Sequence, residues 1–157
     1  MRHAKSSWDD PLVEDRDRVL NGRGRVSARV VGDWLRAKKY MPDQVLSSSS
    51  ARTRETFSRL GFVCDAAFLD KLYLAGQDVM LDVLRGAKGD SVLMLGHNPG
   101  IAWFAQNMVQ VPPPHPRFFD YPTCATLVAE FDVEDWREVG TGSGKAVDFV
   151  IPRELTG

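Results

Sequence analysis

Two cysteines, three histidines and a net charge of −1 in 157 residues exclude several classes of protein at once. Cys64 and Cys124 are too few for a disulfide framework and have no metal-ligand spacing, so both are expected free, mostly buried and in a reducing compartment. Without a basic excess the chain is no dedicated nucleic-acid binder. No apolar run approaches the ~20 residues of a membrane span. No charged-then-apolar leader opens the sequence, and a cytoplasmic location is expected. Internal repeats and long linkers are also lacking. What remains is ordinary for a globular protein, 43% hydrophobic and 26% charged. One domain over residues 1–157, acting as a monomer, is expected.

Hydrophobic periodicity supplies the elements. Val26, Val30, Val31, Trp34, Leu35 and Ala37 recur at near-helical spacing within 22–39, a segment that ends on basic residues suited to a helix C-terminus. Helices are also predicted over 51–60, over 77–86 closed by Gly86, and over 99–110, with Asn98 as cap and Pro99 in the first turn. DQVLSSSS, FVCDAAF and SVLMLG read as strands, the last buried on both faces. The prolines of VPPPHPRFFDYP enforce a loop. ATLVAEFDV and AVDFVIP form two late strands paired across GTGSG. Strands alternating with helices predict an α/β three-layer sandwich, its central sheet mainly parallel and flanked by helices. In such sheets ligands bind beyond the carboxyl ends of the strands.

That rule gives the opening MRHAKSSWDD a meaning. Three strand exits carry Arg2-His3, the SSSSARTRET turn with Arg52 at a helix start, and His97-Asn98. None carries a carboxylate pair. A pocket built from them is positive, rich in N–H donors and matched to a phosphoryl group. A neutral imidazole is nucleophilic, and positive neighbours would hold His3 neutral. A backbone carbonyl could set its tautomer. Arg2 and Arg52 would clamp the oxygens that carry transition-state charge, with His97 as a further donor. The scheme needs no metal and no cofactor.

RHAKSSW, SSSSARTRETF and LGHNPG together resemble the histidine phosphatase superfamily, the phosphoglycerate-mutase-like fold. DRDRVLNGRGR, KLYLAG, GHNPGIAWFA and YPTCATLVAEFD are similar to its small SixA-type phosphohistidine phosphatases, over nearly the whole chain. The resemblance implies His3 as phosphate-accepting nucleophile, completed by Arg2, Arg52 and His97. It matches Arg18 to an arginine that either pins a loop over the site or touches substrate, with Ser6 and Asn98 as nearby donors. It implies a phosphorylated protein as partner, for instance a histidine phosphotransfer domain. A small-molecule phosphomonoesterase and a catalytically silent phosphate-binding module are the alternatives.

Two departures from the family stand out. Relatives carry several apolar residues before the Arg-His pair, whereas here only Met1 precedes it; a start lying upstream is the simpler account, a shortened strand the other. The glutamate that protonates alcohol leaving groups in larger members is missing from FLDKLYLAG, where Asp70 is the one acid. A phosphohistidine leaving group needs less acid help, and phosphoglycerate mutase activity is not expected. Elsewhere His115 reads as an exposed loop residue and Asp9, Asp10, Asp15 and Asp17 as a solvated acidic stretch. Ser48 and Ser49 read as turn and cap residues. The tryptophans read as core or rim packing, with Trp8 nearest the pocket.

Overall fold

The computed structural model describes residues 1–156. Strands β1 (Gln44–Ser48), β2 (Asp65–Leu69) and β3 (Val92–Leu95) form a parallel sheet in the order β2-β1-β3. Strands β4 (Thr126–Phe131) and β5 (Gly144–Val150) pair antiparallel, as the alternating late segments predict. Helices α1 (Gly22–Ala37) and α2 (Ala51–Leu60) pack together on one face. Helices α3 (Gln77–Arg85) and α4 (Gly100–Met108) pack on the other, and a short α5 (Arg153–Thr156) lies against α1. The α/β architecture with a helix-flanked parallel sheet is the one expected.

The strand period divides the core. Val45 and Leu95 point into an apolar cluster with Ala28, Val31 and Leu35 of α1 and Leu60 of α2. Leu46 and Met94 point into the opposite cluster, with Met80, Val83 and Leu84 of α3 and Ile101, Phe104 and Met108 of α4. Each exit of β1 and β3 therefore sits between two packed layers.

Helix α1 corrects the sequence reading in one respect. Its buried face is Gly24, Ala28, Val31, Gly32 and Leu35, while Val26 is 47% exposed. Close approach selects the small residues: a Cβ on Gly24 would stand 2.1 Å from the Lys5 carbonyl oxygen, and one on Gly32 2.2 Å from that of Leu60. Asn21 caps α1 by accepting from the Gly24 amide at 2.8 Å.

Residues Met1–His3 are extended between β3 and β4. The Met1 nitrogen donates to Met94 O (2.9 Å), Gly96 N to Met1 O (3.1 Å) and His3 N to Gly96 O (3.1 Å), three rungs of a parallel ladder. On the other side Arg2 N donates to Ala125 O and Cys124 N to His3 O. The opening residues are thus tied down on both sides rather than frayed.

Candidate active site

The three strand exits converge. His3, Arg52 and His97 are 6%, 3% and 2% exposed. His3 is delivered by the ladder to Gly96, and His97 follows β3 directly. Arg52 stands in the first turn of α2, which Ser50 caps by accepting from the Thr53 amide. The imidazole centroids of His3 and His97 are 5.2 Å apart.

A hydrogen bond to an acceptor-only group defines the His3 tautomer. His3 Nδ1 lies 2.7 Å from the Ala4 carbonyl, which only accepts, so Nδ1 carries the hydrogen and Nε2 keeps its lone pair. Ser48 Oγ accepts from the Ser50 amide and lies 2.8 Å from His97 Nε2. With the hydroxyl donating to Nε2, His97 Nδ1 becomes a donor. His97 Nδ1, Arg2 Nε and Arg52 Nε are buried, and none has a hydrogen-bond partner among the described residues. Buried donors of this kind concentrated at one place suit an anion.

Burial, reinforced by His97, Arg52 and Arg2, pushes the His3 imidazole down to about 3 despite the Ala4 carbonyl. Burial and Arg52 push His97 down to about 4, against the opposing pull of Asp15. Both rings are neutral at physiological pH.

Asp15 is a correction. Asp15 is exposed, as are Asp9, Asp10 and Asp17, but its carboxylate reaches the site. Its carboxylate accepts from Arg52 Nη2 (3.1 Å) and Arg18 Nη2 (3.2 Å) and from the Tyr73 hydroxyl; its carbonyl accepts from Arg52 Nη1 at 2.7 Å. The Tyr73 hydrogen bond, then Arg52, hold the carboxyl down at about 2. Tyr73 also packs edge-on to His97, with centroids 5.4 Å apart. Neither residue was singled out from sequence. The available signal was the spacing of Asp15 and Arg18, three apart around a 3-10 turn. Ser48, read as a turn residue, in fact orients His97, and the Thr56 hydroxyl accepts from the Ala4 amide at 3.0 Å.

The remaining sequence candidates lie at the rim. Arg18 is buried and donates to Ser6 Oγ (2.8 Å), Ser7 O (3.2 Å) and Asp15, with its guanidinium 3.5 Å from the Trp8 ring centroid. The hydroxyl of Ser6 is engaged by Arg18. Asn98 does not cap α4: Pro99 holds that position. Asn98 Nδ2 instead donates to the carbonyls of Asp120 and Tyr121, and Arg2 Nη1 donates to Tyr121 O at 3.2 Å. Trp8 and Trp103 are 70% and 60% exposed, whereas Trp34 and Trp136 are partly buried against the two apolar clusters. His115 is partly buried rather than exposed, 2.9 Å from Glu154 and edge-on to Phe149. Asp70 lies on the surface, paired with Arg16 and Ser49.

Comparison with known proteins places this geometry. The family model for the histidine phosphatase superfamily (branch 1) matches residues 1–72. An uncharacterised protein of Mycobacterium tuberculosis (strain ATCC 25618 / H37Rv) is 30% identical over 161 residues, spanning 98% of this chain and 100% of that protein. An uncharacterised chloroplastic protein of Arabidopsis thaliana is 42% identical over 115 residues, spanning 64% of this chain and 53% of its own length. The SixA structure of Nakamurella multipartitia superposes with a TM-score of 0.86 at 26% identity, covering 97% of this chain and 93% of that one. A protein histidine phosphatase SixA complexed with tungstate gives 0.80 at 21% identity, covering 99% and 97%. No helix among the described residues is long and apolar enough to cross a membrane. By these likenesses the chain belongs to the histidine phosphatase superfamily, branch 1, as a phosphatase of the SixA type.

Proposed function

We propose that the chain is a metal-independent protein phosphohistidine phosphatase working through a phosphohistidine intermediate on His3. The observation that carries this reading is the His3 ring, buried and neutral, with Nδ1 tied to the Ala4 carbonyl and Nε2 free among arginine and histidine donors. Nε2 attacks phosphorus, forming a P–N bond as the bond to the leaving group breaks. Water then attacks the phosphorus of phospho-His3, forming a P–O bond as the P–N bond breaks; the electron pair returns to Nε2, the water's proton passes to the phosphate or to solvent, and inorganic phosphate leaves. Arg2, Arg52 and His97 Nδ1 hold the phosphoryl oxygens through both steps. Asp15 positions Arg52, while Arg18 with Ser6 anchors the loop that carries Asp15. Asn98, sharing the Tyr121 carbonyl with Arg2, sets the arginine's approach.

The leaving group favours phosphohistidine. Asp70 is exposed and held ionised first by its hydrogen bonds to Ser49 and Arg16, so it is a poor acid for an alcohol leaving group. An imidazole leaving group protonates from solvent. The SixA proteins similar to this chain are named for phosphohistidine phosphatase activity, which supports a phosphorylated protein as substrate.

The test is a rapid quench of the protein mixed with a radiolabelled phosphoramidate and EDTA, with His3→Ala alongside. Acid-labile, base-stable label on the wild type alone is expected, with faster turnover of a phosphohistidine peptide than of an aryl phosphate. Faster aryl phosphate turnover would make the chain a phosphomonoesterase. Phosphate binding with neither label nor turnover would make it a binding module.

A further inference from the structure

The residues between Ser7 and Val19 leave the body of the protein as an arm beside the phosphate pocket. Its base is an antiparallel pairing: Ser6 bridges Leu20, and Ser7 N donates to Val19 O at 2.8 Å. Its inner side belongs to the site, through Arg18 on Ser6 and through Asp15 on Arg52 and Tyr73. Its tip is a turn from Asp10 to Val13, closed by Val13 N on Asp10 O (3.4 Å) and by Leu12 N on Asp10 Oδ1 (3.0 Å). Pro11 takes the turn position that its fixed φ suits. The turn holds Leu12 out in water, 91% exposed. Val13 and Trp8 on the same arm are exposed as well, the indole with the Arg18 guanidinium against one face. Single exposed apolar side chains call for no explanation; three on one braced arm next to a binding pocket do.

The arm and the pocket carry opposite charge. The ion pairs of the arm use Asp15, Arg16 and Arg18. Asp9, Asp10, Glu14 and Asp17 are exposed and take part in no ion pair among the described residues. Inside the pocket the sign reverses. Arg52 and His97, almost wholly buried, keep Nε and Nδ1 without a hydrogen-bond partner among the described residues, which marks the place of the phosphoryl anion. A free phosphorylated metabolite brings only negative charge past the carboxylates of the arm. A phosphoryl group on a protein segment with lysines or arginines around it meets both signs in the right order.

We propose, resting on the phosphohistidine reading above, that the arm is the docking surface for the protein that carries the phosphoryl group. It grips a segment beside the phosphohistidine that bears lysine or arginine side chains around an apolar one. Leu12, Val13 and the open face of Trp8 take the apolar side chain; Asp9, Asp10, Glu14 and Asp17 take the cations. Pro11 and the Arg18 brace fix the arm before the carrier arrives, so docking orders little new chain. The carboxylates also speed the encounter with a basic carrier, an effect that salt screens. Asp15 and Arg18 join the arm to the pocket, so carrier and phosphoryl group are held by one connected set of residues.

The experiment gives the 157-residue chain N-phosphoimidazole, a phosphohistidine peptide flanked by lysines and leucines, and the same peptide with glutamates and serines in their place. Leu12→Ser and the double variant Asp9→Asn/Glu14→Gln change the arm. Asp132→Asn/Glu134→Gln, at exposed positions beyond the far end of β4, changes the same charge elsewhere. The wild type is expected to favour the basic, apolar peptide by about tenfold or more in kcat/KM, chiefly through KM. Each arm variant should cut that preference to about threefold or less and leave N-phosphoimidazole turnover within about twofold. The distant variant should keep the preference, and salt at about 0.5 M should weaken it in the wild type. Equal turnover of the two peptides by the wild type would overturn the proposal, as would a preference that the arm variants leave unchanged. A preference lost equally in the distant variant would reflect net charge alone and overturn it too. Turnover of N-phosphoimidazole with neither peptide accepted would overturn the docking surface and leave the phosphatase reading in place. Turnover of none of the three would overturn that reading, and the docking surface with it.

Discussion

His3 and His97 face each other with ring centroids 5.2 Å apart and planes inclined at 52°, one leaning on the Ala4 carbonyl and the other on the Ser48 hydroxyl. Two imidazoles so close beside two arginines cannot both carry protons at modest cost, and burial makes the neutral state the stable one. In the proposed reaction the pair supplies one nucleophile and one donor.

This pairing makes stability depend on pH. Both folded values, about 3 and about 4, lie below the ordinary 6.5, so the unfolded chain takes up protons first as pH falls. Stability is complete above 6.5 and is lost progressively as pH falls toward those folded values. At about pH 5 the loss is about 2 kcal/mol per histidine. Urea melts at about pH 7.5 and 5 should show wild type losing that much more than His3→Asn or His97→Asn; equal losses would refute the assignment. The Met1 amine titrates in the same direction and cancels in the comparison. Turnover should show no acid limb near 6.5.

Asp15 holds Arg52 through its backbone carbonyl and one carboxylate oxygen, so in the proposed reaction its side chain positions Arg52 and does not itself touch phosphorus. Asp15→Ala is expected to lower kcat/KM by about 10- to 100-fold, chiefly through kcat. Asp15→Asn, which still accepts from Arg52, should recover most of the loss. If Asp15→Ala instead tightens phosphate binding and leaves kcat intact, the carboxylate competes with substrate and the positioning role is wrong.

Asp70 offers a negative control. It lies on the surface and is ionised by Ser49 and Arg16, so Asp70→Asn should leave phosphohistidine turnover within about twofold of wild type. A large loss confined to phosphate monoesters would restore it as a general acid and favour the small-molecule reading.

Gly24 couples the first helix to the site. A methyl group there would meet the Lys5 carbonyl oxygen at 2.1 Å, two residues beyond His3. Gly24→Ala is expected to cost about 2–3 kcal/mol and to depress turnover, because α1 or the His3 segment must shift. Gly22→Ala, with nothing within 4 Å, is the matched control. Equal melts for the two would show that α1 tilts freely.

Much of the fold can be read locally. The range 51–60 coincides with α2, because a serine cap at Ser50 and a left-handed Gly61 mark both ends chemically. The face of α1 was less legible: hydrophobicity favours Val26, but contact distance favours Gly24 and Gly32. Asn98 has the residue type of a cap, yet the Asp120 and Tyr121 carbonyls, distant in sequence, compete for its amide.

The sequence by itself determined the element types, the parallel sheet and the three exits bearing Arg2-His3, Arg52 and His97, because those depend on periodicity and on chemistry adjacent to each strand. Only the tertiary structure decided that Asp15, Tyr73 and Ser48 belong with them. Such partnerships join residues 37 to 58 positions apart, and no local spacing encodes them. They exist because packing brings chain segments together and leaves buried polar groups with only one another to bond.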